Sequence, residues 1–156
     1  MPNIEEQNLT EFLLEVKAKM ANITTSENNE INDINEYVLK NSGKFIRSKI
    51  IYLYGSEIGV TKYKLIELAS AAELIHLSTL IHDDIIDEAD LRRDMPTVIK
   101  KWGIKKAILY GDFLYTKTFQ SLNSFENTAI ADVLINCAED LIAVSYTHLR
   151  AHETRN

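Results

Sequence analysis

Apolar residues recur at three- and four-residue intervals along most of the chain, and the two-residue alternation typical of strands is scarce. Leu9, Phe12, Leu13, Val16 and Met20 form one apolar stripe and predict a first helix. A polar loop, ITTSENN from Ile23 to Asn29, follows it. Ile31, Ile34 and Val38 predict a short second helix, broken at Ser42 and Gly43. Ile46, Ile50, Leu53 and Tyr54 continue a third that stops near Gly59, although KIIYLYG within it also reads as a strand. The longest periodic stretch runs from about Lys62 to Glu88, and Pro96 closes the loop after it. Two further helices are expected, from about Ile104 to Leu122 and from Asn127 to Ala143. With only five glycines and two prolines to interrupt it, the pattern predicts an all-α domain without repeats.

Composition narrows this picture. A chain of 156 residues with 46% hydrophobic and 26% charged positions can bury a core. The net charge of −6 and the lack of a basic stripe argue against a nucleic-acid partner. No apolar run reaches the roughly 18–20 residues that span a bilayer, so no transmembrane segment is expected. The start, MPNIEEQNL, shows no basic segment followed by an apolar one, and no secretory signal is visible. The single Cys137 excludes an internal disulfide. These features set a cytoplasmic location as the default. The tail SYTHLRAHETRN holds two of the four histidines and no apolar stripe. It looks like translated sequencing-adaptor DNA, so residues 1–143 are taken as the domain and 144–156 as a non-native tail, outside the functional argument.

Candidate chemistry concentrates at the end of the longest helix. At about 100° per residue, Asp87 lies one turn on from Asp83 and about 40° to its side. Thr79, His76 and Ala72 share that face, and Asp84 sits on its flank. Carboxylates four apart repel, and the helix C-terminus disfavours negative charge. Something positive should compensate. Mg²⁺, which takes oxygen ligands and bridges carboxylates to phosphates, is the natural candidate, and Arg92 and Arg93 can grip phosphate oxygens. A solvated acidic helix end paired with those arginines is the plain alternative. A second basic site, SGKFIRS, places Lys44 and Arg47 three apart after a glycine break. On a helix start both cationic heads would share a face with free backbone N–H groups, a seat for a diphosphate. Val38 and Phe45 stand where a Walker A loop needs glycine and Ser or Thr.

Together these stretches resemble the trans-isoprenyl (polyprenyl) diphosphate synthase family, from about Asn35 to Phe119. SGKFIRS is similar to the family's GGKRxRP, and ELIHLSTLIHDD to its ELIHxxxLxHDD. DDIIDEADLRRDMPT is similar to its first aspartate-rich motif, DDxxDxxxxRRGxPT, and AILYGDFLYTKTF to its GDFLxxxAF helix. The resemblance implies the N-terminal half of a helical bundle of the isoprenoid synthase type. It implies that Asp83, Asp84 and Asp87 hold Mg²⁺ against an allylic diphosphate, which Arg92 also contacts. Lys44, Arg47, His76 and Arg93 would bind isopentenyl diphosphate. The reaction implied is head-to-tail condensation of these two substrates, in a protein that is a homodimer when complete. His82 and Asp112 match the family too, without a clear role.

The departures are Ser42 and Ser48 for glycine and proline, Phe45 for arginine, and Asp94 for glycine. Ser78 and Thr79, just before the first aspartate, are small where short-chain relatives carry aromatics. A medium- or long-chain product of octaprenyl type, such as a quinone side chain, is therefore expected. No second DDxxD occurs in the 156 residues, so this chain by itself is expected to be inactive. An HD-type phosphohydrolase needs a histidine on a separate helix, whereas His76 shares one with Asp83. A terpene cyclase would not need the GKxxR and RRxxPT elements. A non-catalytic partner subunit of a heteromeric synthase, and a general Mg²⁺-binding helical module, are the remaining alternatives.

Overall fold

The computed structural model describes the backbone of residues 4–122 and 128–153. Seven helices and one short hairpin follow in the order α1 Ile4–Ile23, α2 Asn29–Lys40, α3 Ile46–Glu57, α4 Lys62–Ile86, β1 Leu91–Arg92, β2 Met95–Pro96, α5 Val98–Trp102, α6 Ile104–Leu122 and α7 Thr128–Glu153. The all-α expectation is met. KIIYLYG is helical throughout, within α3, and the hairpin and α5 were not anticipated. The expected start of the last helix at Asn127 lies outside the described residues. That helix continues past Ala143 to Glu153, within the segment read as a tail.

The chain forms two compact units, Met1–Leu74 and Ile75–Asn156, with α4 running from one into the other. In the first, Phe12, Val16 and Met20 of α1 are almost fully buried, with Ile34, Val38 and Leu39 of α2 and Leu65 and Ala69 of α4. Asn28 starts α2 by accepting from the Glu30 N–H at 2.9 Å, so the polar loop doubles as a cap. Buried Asn35 reaches back to the Thr24 carbonyl at 2.5 Å and ties α2 to the end of α1.

α3 departs from the pattern reading. Its stripe of Ile46, Ile50, Leu53 and Tyr54 is 51–74% exposed, while small residues, Ser48 and Gly55, are buried. A methyl group on Gly55 would come within 2.2 Å of Leu65 Cδ2, so the missing side chain lets α3 approach α4 closely. Tyr52 packs its ring on Phe12, with centroids 4.8 Å apart.

In the second unit, Leu77 and Ile81 of α4, Val98 of α5, and Ala107, Tyr110, Leu114 and Leu122 of α6 make the core. Burial lifts the Tyr110 hydroxyl well above the ordinary tyrosine range. Thr97 caps α5 by accepting from the Lys100 N–H at 3.3 Å, and Gly103, at φ +84°, lets the chain turn into α6. By length and hydropathy α4 is long and apolar enough to cross a membrane, which the residue-by-residue reading missed, but 67% of that window is buried within the protein, as in a core helix.

Candidate functional site

The buried register of α4 fixes where its acidic end points. Asp83 is half-buried, Asp84 is buried and Asp87 is exposed. α4 ends at Ile86, two residues short of the expected Glu88. The Asp87 N–H still donates to the Asp83 carbonyl at 2.8 Å, so these two carboxylates remain one turn apart as the spacing predicts. Glu88, at φ +49°, then reverses the chain, and the Ala89 N–H closes the helix end on the Asp84 carbonyl at 3.0 Å.

The hairpin that follows brings Arg92 back over Asp84. Leu91 pairs with Pro96 and Arg92 with Met95, around a tight turn in which Arg93 and Asp94 have φ of +53° and +63°. Arg92 Nε donates to both oxygens of Asp84, at 2.9 and 3.0 Å, and a terminal guanidinium nitrogen lies 2.7 Å from Oδ1. Strands of two residues hold weakly by themselves. This forked ion pair, with the Thr97 hydroxyl donating to the Ala89 carbonyl at 2.7 Å, anchors the loop.

The three aspartates are therefore not equivalent. Asp84, expected to reach a metal from the flank, is committed to Arg92. Among the described residues no group of three or more His, Cys, Asp or Glu converges in metal-ligand geometry. Asp83 and Asp87 remain as two carboxylates one turn apart. Their all-oxygen chemistry fits Mg²⁺, which commonly takes one or two carboxylates and keeps waters for the rest. Arg93 is exposed at the turn.

Beside Asp83 lies a cavity of about 340 Å³, lined by Thr79, His82, Ile86, Asp112, Tyr115 and Ile142 and by Ser145 and Tyr146 of the segment read as a tail, where the Ser145 hydroxyl donates to Asp83 Oδ1 at 3.4 Å. Its wall is set by the contact of α4 with α6. Ser78 is fully buried and donates to the Gly111 carbonyl at 2.8 Å. Among the cavity's lining residues Thr79 appears and Ser78 does not. The Thr79 hydroxyl is turned to the His76 carbonyl at 2.7 Å. His76 itself is half-buried, one turn before Thr79. A methyl group on Gly111 would fall 2.5 Å from His82 Cε1, so glycine makes the seat of the imidazole. His82 Nε2 sits 3.3 Å from Asp112 Oδ1, and its ring stacks on Tyr115 at 6.0 Å. Tyr115 stacks in turn on Phe119 at 5.8 Å. Burial raises the Tyr115 hydroxyl above its ordinary range, a hydrogen bond with Ser78 opposes this, and the Asp83 charge adds to it.

In the first unit, Lys44 and Arg47 are both exposed, but not as the spacing predicts. α3 begins at Ile46, so Lys44 precedes the helix, and Phe45 between them is left-handed at φ +51°. Positive φ is costly for a bulky side chain, so Phe45 stores strain where the two cations stand. Phe45 makes no side-chain cap. Glu73 of α4 serves instead: its Oε1 accepts from both the N–H and the hydroxyl of Ser48, at 3.0 Å each. One N–H of the first turn is thus already taken. Phosphate binding here falls to the Lys44 and Arg47 side chains more than to free amides. Glu73 was passed over in the sequence, although a carboxylate inside an otherwise apolar helix face signals a buried partner.

An all-α bundle with an aspartate-rich helix end beside an apolar cavity is the isoprenoid synthase fold. The solved decaprenyl diphosphate synthase of Rhodobacter capsulatus superposes with a TM-score of 0.80 and 29% identity, over 85% of this chain and 41% of that one. The family model described as polyprenyl synthetase matches residues 28–154, and the chain belongs to this family. It is 35% identical to the all-trans-polyprenyl-diphosphate synthase of Mus musculus over 134 residues, 81% of this chain and 33% of the relative. It is 41% identical to the geranylgeranyl diphosphate synthase of Methanosarcina mazei over 101 residues, 65% of this chain and 31% of the relative. The chain thus spans about a third of the length of these relatives.

Proposed function

We propose that this chain forms the part of a polyprenyl diphosphate synthase that seats the allylic diphosphate, in a protein that condenses it head-to-tail with isopentenyl diphosphate. One observation carries the reading: Asp83, one turn from Asp87, stands at the edge of a cavity otherwise walled largely by apolar and aromatic side chains. That pairing suits a molecule with an anionic head and a hydrocarbon tail. Asp83 and Asp87 would hold Mg²⁺, which supplies positive charge to the diphosphate as it leaves. Arg92, oriented by Asp84, binds its oxygens and stabilises the departing charge. Lys44 and Arg47 would hold the second diphosphate. The allylic carbon–oxygen bond breaks, the isopentenyl double bond attacks that carbon, and a proton is lost. No nucleophile from the protein is required, which leaves exposed Cys137 without a part. Thr79 is small where it borders the cavity, and a medium- or long-chain product, as in quinone side chains, follows from it.

The reading is tested by calorimetric titration of the 156-residue chain with farnesyl diphosphate, with and without Mg²⁺. Binding should require the metal, and Asp83→Asn and Asp87→Asn should each weaken it at least tenfold. Metal-independent binding that ignores both substitutions would sink it.

A further inference from the structure

Resting on the reading that Lys44 and Arg47 seat the second diphosphate, we propose that Glu73 is a positioning residue for that seat: it fixes the two cations by holding the first turn of α3. Glu73 is 6% exposed and Ser48 is fully buried. A single oxygen, Glu73 Oε1, accepts from the Ser48 N–H and hydroxyl together, at 3.0 Å each. A helix start is ordinarily capped by the side chain at its own N-cap position. Here that residue is Phe45, which makes no cap, and the acceptor comes from 25 residues after Ser48, on another helix. A local cap would hold α3 to itself. This remote one holds it to α4, at the residue next to Arg47.

The rest of α3 gives that turn little other support. Its far end meets α4 through the close approach of Gly55 to Leu65, and its middle meets α1 through Tyr52 on Phe12. Its outer stripe, Ile46, Ile50, Leu53 and Tyr54, is exposed, so among the described residues nothing presses the first turn inward from that side. Ahead of the turn stands Phe45 at φ +51°, a conformation that persists only where its surroundings over-determine it. The Phe45 carbonyl accepts from the Lys49 N–H at 3.0 Å, and Glu73 fixes the residue just before Lys49. Lys44 lies on one side of this strained link and Arg47 on the other. Without Glu73, Phe45 is free to relax toward negative φ, and the backbone that carries Lys44 then swings relative to Arg47. Two cationic side chains grip one diphosphate only while their spacing is kept, to within about 0.5 Å. Charge alone predicts the reverse. A buried carboxylate beside an anion seat repels the ligand, so by Coulomb's law its removal would tighten binding. Position and charge therefore pull in opposite directions.

Isopentenyl diphosphate is titrated calorimetrically into the 156-residue chain with EDTA present, which keeps Mg²⁺ from Asp83 and Asp87, at a temperature where thermal melts show each variant folded. The unaltered chain should bind, and Lys44→Ala and Arg47→Ala should each weaken binding about tenfold or more. Glu73→Ala should weaken it about fivefold or more, although a repelling charge is removed. Glu73→Gln keeps an acceptor oxygen and drops the charge, and should bind at least as tightly as the unaltered chain. Should Glu73→Ala not fold, Ser48→Ala takes its place. It removes the hydroxyl and keeps the N–H, with an expected loss of about two- to threefold. Unchanged or tighter binding by the folded variant, or an equal loss in Glu73→Gln, overturns the proposal and leaves the seat itself intact. No binding by the unaltered chain, or binding indifferent to both Lys44→Ala and Arg47→Ala, overturns the seat and the proposal with it.

Discussion

At the scale of single residues, two positions show how backbone and packing decide what a side chain may be. Asp94 stands where the family pattern has glycine, and its φ of +63° explains that preference. Asp94→Gly should stabilise the hairpin by about 0.5–1 kcal/mol, because the left-handed conformation costs a glycine nothing. In a thermal melt this is a rise of about 1–4 °C; an unchanged or lowered midpoint would count against it. Ser78 and Thr79 are neighbours of similar size with opposite tolerance. Thr79→Phe should fold and, in calorimetric titration, lose affinity for longer prenyl alcohols, as its side chain grows into open space. Ser78→Phe has no space, since Ser78 is fully buried against Gly111. Overpacking there should cost about 1–3 kcal/mol in urea denaturation. The sequence presented the two as equivalent, because alternation of two small residues says nothing about which way each one faces.

At the scale of elements, periodicity located six of the seven helices and placed most of their ends within a few residues. It failed where tertiary contacts override local pattern. The hairpin is two residues per strand and is held by an ion pair to a helix eight residues upstream, so no alternation exists to detect. The α3 stripe was legible as a helix but not as an outward face, because Gly55 and Ser48 set the side that packs. The start of α3 also depends on a remote residue. Glu73 is its cap, and Glu73→Ala would strand the buried Ser48 N–H and hydroxyl. The expected loss is about 1–3 kcal/mol by chemical denaturation, with Glu73→Gln recovering much of it as an uncharged acceptor. Negligible losses for both variants would mean that the cap contributes little. Of the candidate site, the one-turn spacing of Asp83 and Asp87 was legible in the helical period. The ion pair of Asp84 with Arg92 was not legible, because it depends on where the chain reverses at Glu88.

At the scale of the whole molecule, the 156 residues contain one aspartate-rich motif and no second. Radiolabelled isopentenyl diphosphate supplied with an allylic primer and Mg²⁺ should give no product above background with this chain alone. Measurable turnover would show that a single aspartate-rich helix suffices. The molecule also shows a continuous apolar line to the outside. Ile46, Ile50, Leu53 and Ile58 of α3 and the residue after it are each more than half exposed. Scattered apolar side chains are ordinary on a protein surface, whereas a row along one helix is not. Inside a cell, chaperones and proteases act on exposed apolar surface, and stability losses of about 1–2 kcal/mol change abundance several-fold. The helix that presents Arg47 is thus also the one that offers this apolar row to such surveillance.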